Sequence, residues 1–136
     1  MKEYKIGMVA AEFNFEVTSL MIERAKAEAE FLGVKITKTI LVPGVFEIPM
    51  AVKNMLEKDD IDAVITLGAV ITGETKHAEV VVAQSSRKIM DLGLEYNKPV
   101  GFGITGPGMT ELQAMDRIEK GREVVDAVVK MLQRLE

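Results

Sequence analysis

The chain predicts an α/β fold: a four-stranded parallel sheet sandwiched between two layers of helices. Two observations lead there. Short apolar runs alternate four times with segments whose apolar residues recur at helical spacing. The apolar runs, continuous in 61–71, are joined by helices, as in parallel sheets covered on both faces. The crossovers should then be right-handed.

The elements follow in order. "YKIGMVAAEF" (4–13) is short, apolar and followed by polar turn residues, so it is the first strand. Thr18 or Ser19 suits the cap of the next helix. Met21, Ala25, Ala29 and Leu32 mark its inner face, and Gly33 stops it. "VKITKTILV" (34–42) alternates and is rich in β-branched residues, so it is the second strand. Pro43-Gly44 ends that strand. Ile48, Val52, Met55 and Leu56 mark a second helix, with Pro49 in its first turn and Asp59-Asp60 closing it. "IDAVITLGAVI" (61–71) is the third strand. A third helix runs from His77 to about Leu94, despite the poor helical sequence Val80-Val81-Val82. "KPVGFGIT" (98–105) is the fourth strand. Thr110 and Gln113 form a capping box, and Met115, Ile118, Val125, Val128 and Leu132 line one long last helix, weakened or bent at Gly121.

Composition narrows the function. The length, 136 residues, suits one domain over 1–136. Seventeen basic and twenty-one acidic side chains give a net charge of −4, so no nucleic-acid partner is expected. Hydrophobic residues make up 48%, too many for a disordered chain, and none of the apolar runs reaches membrane-spanning length. Met1-Lys2-Glu3-Tyr4 runs directly into a strand, so no secretory signal is expected. Without cysteine there is no disulfide, thiol nucleophile or thiolate metal site, which fits a reducing cytoplasm. With one histidine and no convincing carboxylate cluster, no metal is expected.

Ligands in such folds bind beyond the carboxyl ends of the strands, which selects loops 11–17, 43–49, 72–78 and 105–110. In the first, Phe13 suits stacking on a flat ring and Asn14 offers a donor and an acceptor; a core Phe and a turn-forming Asn are the plain alternatives. In "PGVFEIP" (43–49), Glu47 sits among apolar neighbours and must face solvent, a helix N-terminus or a ligand hydroxyl. In "GAVITGETKH" (68–77), Gly73, Glu74 and Thr75 could hold an anion through backbone N–H groups, although the Glu74 side chain would have to point away. His77, the only histidine, falls on the first helical turn as a candidate proton carrier or a simple surface residue. "GFGITG" (101–106) matches a dinucleotide fingerprint but lies on the last strand with Pro107 after it, so that reading is rejected. Arg117 suits an anion or a surface ion pair. Neither a P-loop nor a nucleophile elbow is present.

Together, "FN", "VPGVFEIP", "LGAVITGETKH" and "FGITGPGMTELQAMDR" stand in register after the four strands. In this the chain resembles the lumazine synthase family. The resemblance implies a flavodoxin-like three-layer α/β/α sandwich, assembled as pentamers or as shells of twelve pentamers. It implies condensation of 5-amino-6-ribitylamino-2,4-pyrimidinedione with 3,4-dihydroxy-2-butanone 4-phosphate, a transferase reaction of riboflavin biosynthesis without a cofactor. It further implies that Phe13 and Asn14 meet the pyrimidinedione, and that Val45, Phe46 and Glu47 hold the ring and ribityl chain. Ala69, Val70 and Ile71 would offer backbone groups, and Glu74, Thr75 and Arg117 would bind phosphate. His77 would move protons. Phe102 and Arg117 would come from a neighbouring subunit. The sequence departs from the family pattern at Glu74, where a small residue is usual, and in the longer "TGPGMT" (105–110). The nearest alternative is a riboflavin synthase of related pentameric type, against which G-E-T-K-H argues; a noncatalytic flavin-binding or shell-forming protein is another.

Overall fold

The computed structural model describes residues 3–71 and 76–136. The strands are β1 (Lys5–Ala11), β2 (Lys35–Val42), β3 (Ala63–Ile71) and β4 (Val100–Met109). They form one all-parallel sheet in the order β2-β1-β3-β4. Between and after them run helices α1 (Phe15–Leu32), α2 (Ile48–Leu56), α3 (His77–Tyr96), α4 (Glu111–Asp116) and α5 (Lys120–Arg134). A single 3₁₀ turn, Val45–Glu47, leads into α2.

Two cores make three layers. On one face Ile6, Met8, Ala10, Ile65 and Leu67 pack against Met21 and Ala25 of α1 and Val125 and Val128 of α5. On the other, Val9, Ala11, Val64 and Ile104 meet Val52 and Met55 of α2 and Ile89 and Leu92 of α3. Successive residues of β1 and β3 therefore bury opposite faces, which is why these central strands are apolar throughout. β2 lies at an edge and is largely exposed, which explains its alternation.

Several boundaries differ from the sequence expectation, each for a physical reason. β1 ends at Ala11, and α1 begins at Phe15 after Asn14 turns the chain in the left-handed region (φ 60°). Thr18 and Ser19 are thus inside the helix and cap nothing; their hydroxyls donate back to Asn14 O and Glu16 O. Gly33 stops α1 at φ 74°, as expected. α2 ends before Asp59-Asp60; Lys98 Nζ donates to Leu56 O, the last carbonyl of the helix, and to Lys58 O in the turn beyond it. Val80, Val81 and Val82 do form helix, and α3 continues to Tyr96.

The segment 105–110, expected as a loop, is mostly strand. β4 runs on to Met109, and between the pairs Ala69–Thr105 and Ile71–Met109 two steps along β3 are matched by four along β4. Gly106 and Gly108, at φ 92° and 87°, accommodate this bulge. Beyond it the Thr110–Gln113 capping box is present in both directions. The expected long last helix is two helices. α4 ends at Asp116, Arg117 leaves helical geometry, and α5 restarts at Lys120. Gly121 lies past this break and has another role: a Cβ there would sit 2.1 Å from Met21 O, so α1 and α5 meet backbone to backbone. Met115, within α4, is exposed and not on the inner face.

Candidate active site

The strand order reverses between β1 and β3: α1, which leaves β1, covers one face, and α2, which leads into β3, covers the other. A crevice opens beyond the carboxyl ends of strands at such a point. Here it is a cavity of about 440 Å³ lined by Phe13, Asn14, Gly44, Val45, Phe46, Glu47, Ala69, Val70, Ile71, His77, Ala78 and Val81. The volume suits a small organic molecule.

Each element brings a distinct chemistry. The turn after β1 presents Phe13, 72% exposed, so the core alternative for this residue is excluded. Asn14 beside it is half-buried, and its Nδ2 donates to Ala69 O at 2.8 Å. That bond ties the end of β1 to the end of β3 and holds a left-handed residue at the cavity wall. The 3₁₀ turn after β2 places Val45 in the core, Phe46 in the open (69% exposed) and Glu47 half-buried. Glu47 stands at the N-terminus of α2, but its side chain caps no backbone N–H. Capping is therefore not its role. Gly44 leaves room for it: a Cβ there would lie 3.3 Å from Glu47 Oε1. Ala69, Val70 and Ile71 supply the end of β3 as a short apolar wall. His77 opens α3 and is exposed at the cavity, with Ala78 and Val81 beside it.

Two expected contributors, Phe102 and Arg117, do not line this cavity within the protomer. Glu74 and Thr75 lie outside the described residues. Phe102, on edge strand β4 and 39% exposed, lines a separate apolar groove with Met90, Leu94, Met131 and Leu135. Arg117 follows the end of α4, exposed in a polar depression with Thr105, Lys120 and Glu123; its Nη1 donates to Met109 Sδ at 3.5 Å. The glycines of the rejected "GFGITG" fingerprint serve packing. A Cβ at Gly101 would lie 2.3 Å from Val124 Cγ2, and one at Gly103 2.3 Å from Thr66 O.

Gly44 and Ala78 fall in the selected loops 43–49 and 72–78 without being singled out there, and Val81 lies beyond them. Position i+4 from His77 points the same way along a helix, so Val81 was available from the pattern. Gly44 stands out only as a strand breaker, and Ala78 has no distinguishing chemistry.

A sequence model of the family described as 6,7-dimethyl-8-ribityllumazine synthase matches residues 3–136. The chain belongs to this family. A relative bearing the same name in Methanothermobacter thermautotrophicus is 56% identical over 135 residues, covering 99% of this chain and 97% of its own. One in Methanocaldococcus jannaschii is 55% identical over 130 residues, covering 96% and 92%. One in Picrophilus torridus is 53% identical over 131 residues, covering 96% of each. Membership in the lumazine synthase family identifies an enzyme. Among the described residues no helix is long and apolar enough to cross a membrane.

Proposed function

We propose that this protein condenses 5-amino-6-ribitylamino-2,4-pyrimidinedione with 3,4-dihydroxy-2-butanone 4-phosphate, giving 6,7-dimethyl-8-ribityllumazine and releasing phosphate and water. As such it is a transferase of riboflavin biosynthesis, one domain over residues 1–136, acting in the cytoplasm. The observation that carries the reading is the cavity itself: Phe13, Asn14, Phe46, Glu47 and His77 come from three separate strand ends and converge on one space.

The residues divide the work by their chemistry. Phe13 stacks on the flat pyrimidinedione, and the Asn14 amide, turned by its bond to Ala69 O, presents Oδ1 as an acceptor to a ring N–H. Backbone groups of Ala69, Val70 and Ile71 read the ring edge. Val45 and Phe46 flank the ring, and Glu47 accepts hydrogen bonds from ribityl hydroxyls, an outlet for a half-buried carboxylate that caps no helix. Glu74 and Thr75 offer backbone N–H groups to the phosphate. His77 shuttles protons through imine formation, phosphate loss and ring closure. Holding both substrates together supplies much of the remaining acceleration.

Phe102 and Arg117 complete the cavity of a neighbouring protomer in a homo-oligomer, a pentamer or a shell of pentamers. That neither lines the cavity of its own protomer supports this assignment. So do the exposed apolar side chains on the two flanks: Met90, Leu94 and Leu135 beside Phe102, Phe46 and Met50 beside the cavity. A ring brings such unlike surfaces together head to tail.

Mixing the protein with both substrates tests the proposal. Lumazine fluorescence should appear and depend on both partners. Riboflavin formed from lumazine alone, or no turnover, would overturn it.

A further inference from the structure

We infer that Thr66 is a positioning residue for Phe102, and through it for the pyrimidinedione end of the neighbouring protomer's cavity; this rests on the reading of Phe102 proposed above. Thr66 is wholly buried in β3, amid "AVITLGAVI", where it is the one polar side chain of the strand. Across the ladder its partner is Phe102. The Thr66 hydroxyl donates to Gly101 O at 2.8 Å and accepts from Gly103 N–H at 3.3 Å. Those are the carbonyl just before Phe102 and the amide just after it. One oxygen therefore holds the peptide groups on both sides of a single side chain.

The two flanking residues make that hold consequential. Both are glycines that must stay glycine, since a Cβ at either would lie 2.3 Å from a neighbouring atom. Glycine restricts its own backbone least, so the path of the chain at Phe102 is set by what holds it from outside: the ladder to β3 and the two bonds to Thr66. Phe102 lies on an edge strand and is 39% exposed, so neighbouring side chains grip it only partly. The two bonds to Thr66 add to the ladder at the peptide groups that set the direction of the ring. Thr66 itself is buried away from the cavity and from Arg117, so it reaches the substrate through Phe102 and by no direct contact.

The test is a double-mutant cycle on the assembled enzyme, measuring kcat and the KM for each substrate in Thr66→Val, Thr66→Ser, Phe102→Ala and Thr66→Val/Phe102→Ala. Loss of hydrogen bonding of ordinary strength should raise the pyrimidinedione KM about five-fold in Thr66→Val. The KM for the butanone phosphate should not move, and Thr66→Ser, which keeps the hydroxyl, should restore the wild-type value. In the Phe102→Ala background Thr66→Val should add nothing. An unchanged pyrimidinedione KM in Thr66→Val overturns the inference, even if Tm falls. So does a rise that persists undiminished without Phe102. If Thr66→Val does not assemble, Thr66→Ala against Thr66→Ser carries the same comparison. If Phe102→Ala itself leaves the pyrimidinedione KM unchanged, the placement of Phe102 in the cavity fails and the Thr66 role with it. A normal Phe102 effect beside a silent Thr66→Val sinks the Thr66 role alone.

Discussion

Phe13→Ala separates the functional account of this residue from a structural one. Phe13 leaves 72% of its surface exposed, so folding of the protomer draws little from it. Full burial of such a side chain is worth about 1.5–3 kcal/mol, so its partial burial contributes roughly 0.5–1 kcal/mol. At fixed protein concentration, Tm should fall by no more than about 4 °C. A pyrimidinedione stacked on the ring would cover most of the remaining surface. Covering it contributes roughly 1–2 kcal/mol, and aromatic stacking geometry adds about 1 kcal/mol. The sum is roughly 2–3 kcal/mol, or about 30- to 150-fold in affinity. Titration of the pyrimidinedione substrate against wild type and variant, with thermal unfolding of both, measures the two effects side by side. A shift in Kd below about three-fold would refute the stacking role. A loss of about 3–5 kcal/mol in stability, typical of a deleted core Phe, would refute the exposed placement.

Other perturbations address different parts of the molecule. His77→Ala should keep the fold and substrate affinity and lower kcat by about 10²–10⁴-fold; unchanged turnover would remove His77 from the mechanism. Arg117→Ala should mainly raise the KM for the phosphate substrate, and a defect confined to the pyrimidinedione would contradict it. Gly121→Ala places a methyl 2.1 Å from Met21 O and should force α1 and α5 apart, lowering stability by about 1–3 kcal/mol; a wild-type Tm would show that the helices do not pack so closely. Tyr4 donates a hydrogen bond to Glu136, which with burial and nearby carboxylate charge pushes its phenol up from 10.0 to about 12. The folded value lies above the unfolded one, so this contribution is complete below about pH 10 and lost as pH rises through about 12. Tm should thus drop more steeply over that range in wild type than in Tyr4→Phe; parallel profiles would contradict it.

The sheet was legible because burial on both faces leaves a continuous apolar signature in 61–71, and Gly33 marks its helix end by its left-handed turn. β4 was read too short for the opposite reason: Gly106, Pro107 and Gly108 look like loop chemistry, yet here glycines at positive φ form a bulge inside a strand. The split of the last helix was hidden because apolar spacing continues through Ile118 while the backbone turns at Arg117. Gly121 is required by the contact of α5 with α1 and not by bending, and a glycine in a helical pattern looks the same in either case. At the candidate site, aromatic and charged residues at strand ends stood out against their neighbours. The bond from Asn14 to Ala69 O and the grip of Thr66 on the backbone around Phe102 link residues far apart in the chain, and local pattern carries no trace of such pairs.

In the proposed function, each site is completed by Phe102 and Arg117 of an adjacent protomer. Co-assembly of His77→Ala with Arg117→Ala tests it most directly. Each variant alone should turn over poorly at low butanone phosphate. In a head-to-tail ring built at random from equal parts, about a quarter of the interfaces join an intact His77 face to an intact Arg117 face. Mixed assemblies should therefore regain about a quarter of wild-type activity. Activity no higher than the average of the two variants would contradict a shared site.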